Sequence, residues 1–447
     1  MLIHFIVPGI EFNMYKAGGF RLPSVGVLYL ASILKNAGHK VRVYDEQVTR
    51  ITKKGKNDEL QDEVFQADAF GISIITPTAL RGYRFAAQLR KKKPRAKIVY
   101  GGYHASALPE EPFHLGCADY VVVREGENVV LDVFENWPKE KILDGGLSDV
   151  NRLPVADFSL IKDFQRITHF PIVASRGCPY NCNFCQVPVM LGRKYRLRKV
   201  ENIYEELRER RKRGEERLFF NDDIFGLKIE ETKKLLEMMI KTGLKFHSWS
   251  AETRANVLCK DEELLDLMEK TRCSYLHIGA ESATQASLES YGKDQRVEEV
   301  KEAVKAAHHR HIRINGMFII GADEDTQEVV GKTFSFYRKM GFDTATFSIL
   351  YPIPKTPIFD SLKSQGRIFT ENWTLYDGSH VVFKPKNLSP FELQRAWDRL
   401  WRKAYPLWNK YSLPIKIFLR RWKKINREYI KALSSGIENF NLNLKVI

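Results

Sequence analysis

Short, near-continuously apolar runs recur along the chain up to Leu350, and segments with helical spacing separate them. That alternation is the strongest constraint on the fold. A strand that is apolar on both faces must be covered on both faces, and strands joined by helices pair in parallel. In the first third the strand candidates are LIHFIVPG, KVRVYDE, AFGISIIT, KIVYGGYH and YVVVREGE. The helix candidates between them include PSVGVLYLASILKNAGHKV, closed at Gly38, and RGYRFAAQLRKKKP, stopped by Pro94. This pattern predicts a doubly wound α/β domain over residues 1–145. LSDVNRLPVADFSLIKDF lacks periodicity and predicts a linker over 146–169.

A second alternating series follows, with strands FPIVASR (170–176), RLFFN (217–221), KFHSWSA (245–251), SYLHIGA (274–280), IRINGMFII (312–320) and TATFSIL (344–350). Six strand–helix units predict a partial β/α barrel over 170–365. In such barrels function sits at the C-terminal strand ends. Residues 366–447 predict a mostly helical extension rich in Trp, Tyr, Lys and Arg.

The chain has 447 residues, enough for two to four domains at ~100–200 residues each. Its net charge of +16 favours anionic partners without choosing among nucleic acid, membrane surface and phosphorylated substrate. One basic run, RERRKRGEER (Arg208–Arg217), reads as a solvated helix face with Glu interspersed. No apolar run reaches the ~18–20 residues of a transmembrane helix. The start lacks a basic n-region and a cleavage site, so it reads as a first strand and the expected location is the cytoplasm.

Six cysteines do not make a disulfide scaffold here. Cys117, Cys259 and Cys273 are scattered and read as small buried hydrophobes. Cys178, Cys182 and Cys185 stand together in SRGCPYNCNFCQV, where the first barrel strand ends. Four thiolates in two pairs would close a structural zinc site. Three leave one position open, which suits an iron–sulfur cluster with one iron kept for substrate or cofactor.

CPYNCNFC, with Phe184 before its last cysteine, strongly resembles the motif of the radical S-adenosylmethionine (SAM) superfamily. The resemblance implies that Cys178, Cys182 and Cys185 hold a 4Fe–4S cluster whose fourth iron binds SAM. It also implies reductive cleavage of SAM to a 5′-deoxyadenosyl radical, driven by a low-potential donor such as flavodoxin or ferredoxin. Further SAM contacts are implied at later strand ends. In FFNDDIF these are Asp222 and Asp223, toward the amino group. Arg254 in SAETRA faces the carboxylate, and Glu281 and Ser282 in GAESAT face the ribose. Gly321 in FIIGADEDT lies beside the adenine.

The order of an open sheet domain before this barrel resembles the cobalamin-binding branch of the superfamily, over residues 1 to about 385. The resemblance implies a corrin at the sheet's C-terminal edge, against Ser73, Thr76, Gly101, Gly102, His104, Glu125 and Gly126. The pattern Asp-x-His-x-x-Gly is absent after the first strand, where VPGIEFNMY stands, so no lower-axial histidine is implied. Such a domain holds cobalamin without a protein ligand to cobalt, or holds none.

In the extension, Leu393, Ala396, Trp397, Leu400, Trp401, Ala404 and Trp408 share one helical face. Phe418, Trp422, Ile425, Tyr429 and Leu433 share another, opposite a basic face. One reading packs both helices on the barrel. The other rests the basic helix on anionic lipid as a peripheral membrane contact. WTLYDGSHVVFKP resembles the post-barrel segment of relatives acting on hopanoids, tetraether lipids or tetrapyrroles, which implies a large apolar substrate. The expected reaction is cobalamin-dependent methylation of an unactivated carbon. The alternatives are radical carbon–carbon bond or ring formation, and RNA modification. The last would call for an appended RNA-binding module, and none is visible near the C-terminus.

Overall fold

The computed structural model describes residues 1–10, 19–55, 58–406 and 412–435. Six parallel strands form the first sheet: β1 (Leu2–Val7), β2 (Lys40–Asp45), β3 (Ala69–Ser73), β4 (Lys97–Gly101), β5 (Tyr120–Val123) and β6 (Ile142–Asp144). Their order is β2-β1-β3-β4-β5-β6. The chain reverses direction across the sheet between β1 and β3, where open α/β sheets place a ligand crevice. Ile3, Ile6, Phe70, Ile72, Ile98 and Val121 are fully or almost fully buried, as strands covered on both faces require. The expected linker packs back on this sheet instead of running free. Phe158, Leu160 and Ile161 are buried, and Ile161 bridges to Val43 of β2.

The second sheet is also wholly parallel: β7 (Phe170–Ile172), β10 (Arg217–Phe220), β11 (Ser248–Thr253), β12 (Cys273–Glu281), β13 (Arg313–Ile320) and β14 (Thr344–Ile349), paired in that order. The expected strand FPIVASR is split. β7 ends at Ile172, and Ser175–Arg176 (β8) turns away to pair antiparallel with Arg196–Leu197 (β9). Period-two alternation sorts the barrel side chains into two sets. Leu218, Phe220, Trp249, Ala251, Leu276, Ile278, Ile314, Phe347 and Ile349 face the helices and are buried. The set one residue out of step faces inward and is mixed: Ser250, Glu252, His277, Asn315, Thr346 and Ser348 stand among Phe219, Tyr275, Met317 and Ile319.

An open barrel leaves an edge strand whose backbone groups need partners. At β14 the extension supplies them. Helix Pro390–Ala404 lays Trp397 and Trp401 along the strand, and both indole N–H groups donate to the Phe347 carbonyl, at 2.9 and 3.1 Å. The Tyr405 hydroxyl donates to the Ala345 carbonyl and accepts from its N–H. The predicted apolar face is therefore used inside the protein, with Leu393, Ala396, Leu400 and Ala404 all buried. Trp408 lies outside the described residues. Helices Ser412–Ile425 and Arg427–Ser434 likewise bury Phe418, Trp422, Tyr429 and Leu433. Among the described residues, no helix is long and apolar enough to cross a membrane.

The basic run 208–217 is not one solvated face. Arg210 is fully buried, bonded to Glu206 and Glu215, and Glu206 also accepts from Arg198 at 2.6 Å. Arg211 and Lys212 do form exposed pairs, with Glu216 and Glu209. Removing one partner of a buried ion cluster strands the others without solvation, at a cost of about 3–5 kcal/mol. Glu206→Leu leaves Arg198 without a carboxylate partner and Arg210 with Glu215 alone. Denaturant titration of this variant is expected to show a loss of that size, whereas Lys212→Ala at the exposed pair changes little.

Candidate active site between the sheet and the barrel

A cavity of about 400 Å³ lies at the C-terminal edge of the first sheet. Its sheet wall includes Gly71–Ser73 from β3, Val99–Gly102 at the end of β4, and Val122 of β5 followed by Glu125 and Gly126. The facing wall belongs to the barrel: Val173, Ser175, Arg176, Met190, Leu191, Asn221 and Asp223. Glycine makes room at two points. At Gly102, with φ of 93°, a Cβ would lie 2.6 Å from the Ile74 carbonyl oxygen. At Gly26, in the helix that follows Pro23, a Cβ would meet nothing within 4 Å, so the cavity comes up to the backbone. Gly costs a helix interior about 1 kcal/mol relative to Ala. That unfavourable residue in PSVGVLYL was the signal that could have revealed Ser24, Gly26 and Leu30 as lining residues.

Of the seven residues expected to meet a corrin, Ser73, Gly101, Gly102 and Gly126 line the cavity. Glu125 also lines it, but its carboxylate is taken up by Arg176 at 2.8 Å, by Arg196 and by Ser148. Burial alone would raise the Glu125 carboxyl, yet the two guanidinium groups hold it below the ordinary carboxylate range. Thr76 and His104 are corrections. His104 is fully buried behind the cavity wall, with Nε2 2.7 Å from Glu111 and Nδ1 turned to the Thr76 hydroxyl. Glu111 also accepts from the Tyr83 hydroxyl and from the Trp373 indole, both at 2.8 Å. These two residues thus help to anchor the post-barrel segment onto the sheet domain.

The cysteine loop begins where Gly177, with φ of 86°, turns the chain out of β8. A Cβ there would lie 2.5 Å from the Lys194 carbonyl oxygen. Cys178, Cys182 and Cys185 are free, partly exposed and within electrostatic reach of one another. Among the described residues, no three His, Cys, Asp or Glu side chains converge on one ion. In an iron–sulfur cube each thiolate binds its own iron, so the three need not converge. The Gly177 N–H donates to Asp223 at 2.9 Å. Arg254 stands over the loop as expected, with Nη1 4.0 Å from the Cys182 sulfur and its guanidinium 3.7 Å from the centre of the Tyr180 ring. Donor set, open cavity and flanking charges fit a cluster beside a corrin.

The other expected SAM contacts divide. Asp222 is a correction: its two oxygens accept from the Ala174 N–H and the Ser175 hydroxyl, which fastens β7 to β8, and it does not line the cavity. Glu281 has one oxygen held by Lys293 at 2.8 Å, inside the barrel mouth. Ser282 starts a turn by accepting from Thr284. Above Gly321 the place expected for adenine is filled, since a Cβ there would meet Leu393 at 3.0 Å, Phe383 and Leu350. Glu252 stands beside Arg254 in SAETRA, where the sequence names it without a role. Its carboxyl has no hydrogen-bond partner among the described residues and feels Asp223 and Glu281.

Burial pushes Asp223 up to about 6 and Glu252 up to about 7. A carboxyl raised in the fold loses its proton later than in the unfolded chain. Its penalty is therefore absent near pH 4 and complete above pH ~7. Without cofactors, Glu252→Gln is expected to gain stability over the wild type progressively between those limits. Urea midpoints measured across that range check it, and a pH-independent difference would refute the assignment.

A family model described as the Radical SAM superfamily matches residues 172–337, and one described as the B12 binding domain matches 16–134. Bacteriochlorophyllide d C-12(1)-methyltransferase of Chlorobaculum tepidum is 29% identical over 360 residues, covering 78% of this chain and 77% of that protein. An uncharacterized methyltransferase of Pyrococcus horikoshii is 28% identical, covering 91% of this chain and 92% of its own. The fold matches TsrM, a radical SAM methyltransferase of Kitasatospora setae solved with cobalamin and a 4Fe–4S cluster. The TM-score is 0.65 at 17% identity, over 81% of this chain and 78% of that one. The cofactors are a 4Fe–4S cluster, SAM and cobalamin. The chain belongs to the radical SAM enzymes that carry a B12-binding domain.

Proposed function

We propose that this enzyme moves a methyl group from SAM, by way of cobalamin, to an unactivated carbon of a substrate held in the barrel lumen. The observation that carries this reading is the shared wall. Ser175, Arg176 and Asp223 line the cavity at the sheet edge and stand beside the cysteine loop, which supports two neighbouring cofactor sites. When bound, the cluster and SAM supply an oxidant for an unreactive C–H bond, and cobalamin supplies the methyl carrier.

The chain's own residues prepare the chamber. Arg254 and Asp223 are placed to hold the carboxylate and ammonium of SAM beside Cys182 and Gly177. The inward faces of β11–β14 present hydroxyls, an amide and the His277 imidazole. Burial lowers His277 to about 4, so at neutral pH it exchanges hydrogen bonds without carrying charge. A packed β/α barrel fills this volume with branched apolar residues. A lining that mixes these polar groups with Phe219, Met317 and Ile319 supports a large apolar substrate that also carries hydrogen-bonding groups, and a tetrapyrrole-like ring system satisfies that better than a bare hydrocarbon lipid. A low-potential donor of the flavodoxin or ferredoxin type is the expected reductant.

Protein made anaerobically with cobalamin is expected to carry about four irons and one cobalt per chain. Cys182→Ala is expected to lose the iron and keep the cobalt. With methyl-deuterated SAM and a tetrapyrrole acceptor, mass spectrometry should find the label in the product. Loss of hydrogen without label would replace methylation with ring closure. Deoxyadenosine with unchanged acceptor would reject that acceptor class.

A further inference from the structure

Tyr103 follows the Gly101–Gly102 turn at the end of β4 and lines the cavity. The positive φ of Gly102 sets its direction, and the Ile74 carbonyl excludes any other residue at that turn. Tyr103 is half-buried at the cavity wall. It lies within electrostatic reach of Asp223, Arg176 and Cys185, which places it between the corrin cavity and the cysteine loop. The hydroxyl has no hydrogen-bond partner among the described residues, although it stands in a polar seam where its neighbours Arg176, Glu125 and Asp223 are all bonded. Burial pushes the phenol well above its ordinary range, so it is a proton donor at any working pH. A donor at a cavity wall with no protein acceptor is available to a bound ligand.

We propose that Tyr103 is a positioning residue for cobalamin: its phenol donates to an amide carbonyl on the corrin rim and closes the cavity on the side that faces the cluster. The ring supplies the closure and the hydroxyl the bond, so the two parts can be separated. This rests on the cofactor assignment above but not on methylation. A plain space-filling tyrosine would need only the ring.

The test is equilibrium binding of hydroxocobalamin to the full-length, cluster-reconstituted protein, followed by its visible spectrum. Tyr103→Phe keeps the ring and is expected to weaken binding about three- to ten-fold, the worth of one net hydrogen bond. Iron content and melting temperature should stay at wild-type values. Tyr103→Ala is expected to weaken binding further and to broaden the cob(II)alamin signal in electron paramagnetic resonance. Equal affinity in wild type and Tyr103→Phe would overturn the proposal while leaving cobalamin in place. Failure of the wild type to bind hydroxocobalamin would overturn both the proposal and the cofactor site on which it rests.

Discussion

Arg176 joins the two halves of the molecule two residues before the first cluster cysteine. One terminal nitrogen donates to Glu125 and the other to Glu127, both just after β5, while Arg196 reaches the same Glu125 from β9. All four charged side chains are nearly or fully out of solvent. Taking charges out of water is expensive, so the seam holds only in a geometry where each charge finds its partners. A one-ångström slip would leave an unpaired buried charge. The spacing between the sheet edge and the cysteine loop is fixed as a result, and with it the width of the cavity that both walls share.

The extension solves a different problem. A six-stranded open barrel exposes the outer edge of β14, and Trp397, Trp401 and Tyr405 cap it with side-chain hydrogen bonds. The amphipathic pattern of residues 390–434 follows from this duty and from the burial of Trp422 and Tyr429 beneath it. Its apolar stripes need no lipid to account for them. What remains outside is the basic face, with Ile417 as an exposed apolar residue, 46% accessible. The same segment also reaches back to the first sheet through Trp373 and Glu111, so barrel, extension and sheet are clamped at two separated places.

Most of the architecture was legible because the strands are apolar on two faces and the helices close with Gly or Pro. The cysteine loop was legible because its spacing is itself the signal. The errors at the site share one physical origin. Adjacent residues at a strand end point in opposite directions, so a motif names the neighbourhood and not the side chain. Asp222 fastens β7 to β8 while Asp223 bonds to the cysteine loop. His104 turns back to Glu111 while Tyr103 faces the cavity. At Gly321 the motif pointed to adenine, but the group pressing on that position comes from Leu393, more than seventy residues on. The short β6 and the split after Ile172 were missed because a three-residue strand carries no periodicity.

The mouth of the barrel holds more negative groups than it can neutralise. Asp223, Glu252 and Glu281 influence one another, and Lys293 answers only Glu281. Burial in this poorly solvated space, with like charge added at Glu252, is why the carboxyls of Asp223 and Glu252 keep their protons to about 6 and 7. A guest that brings positive charge relieves that penalty, and SAM carries both an ammonium and a sulfonium. Binding such a cation and releasing protons from the barrel mouth are then one linked event. Discrimination follows from the same balance, because a neutral analogue of SAM relieves none of that penalty.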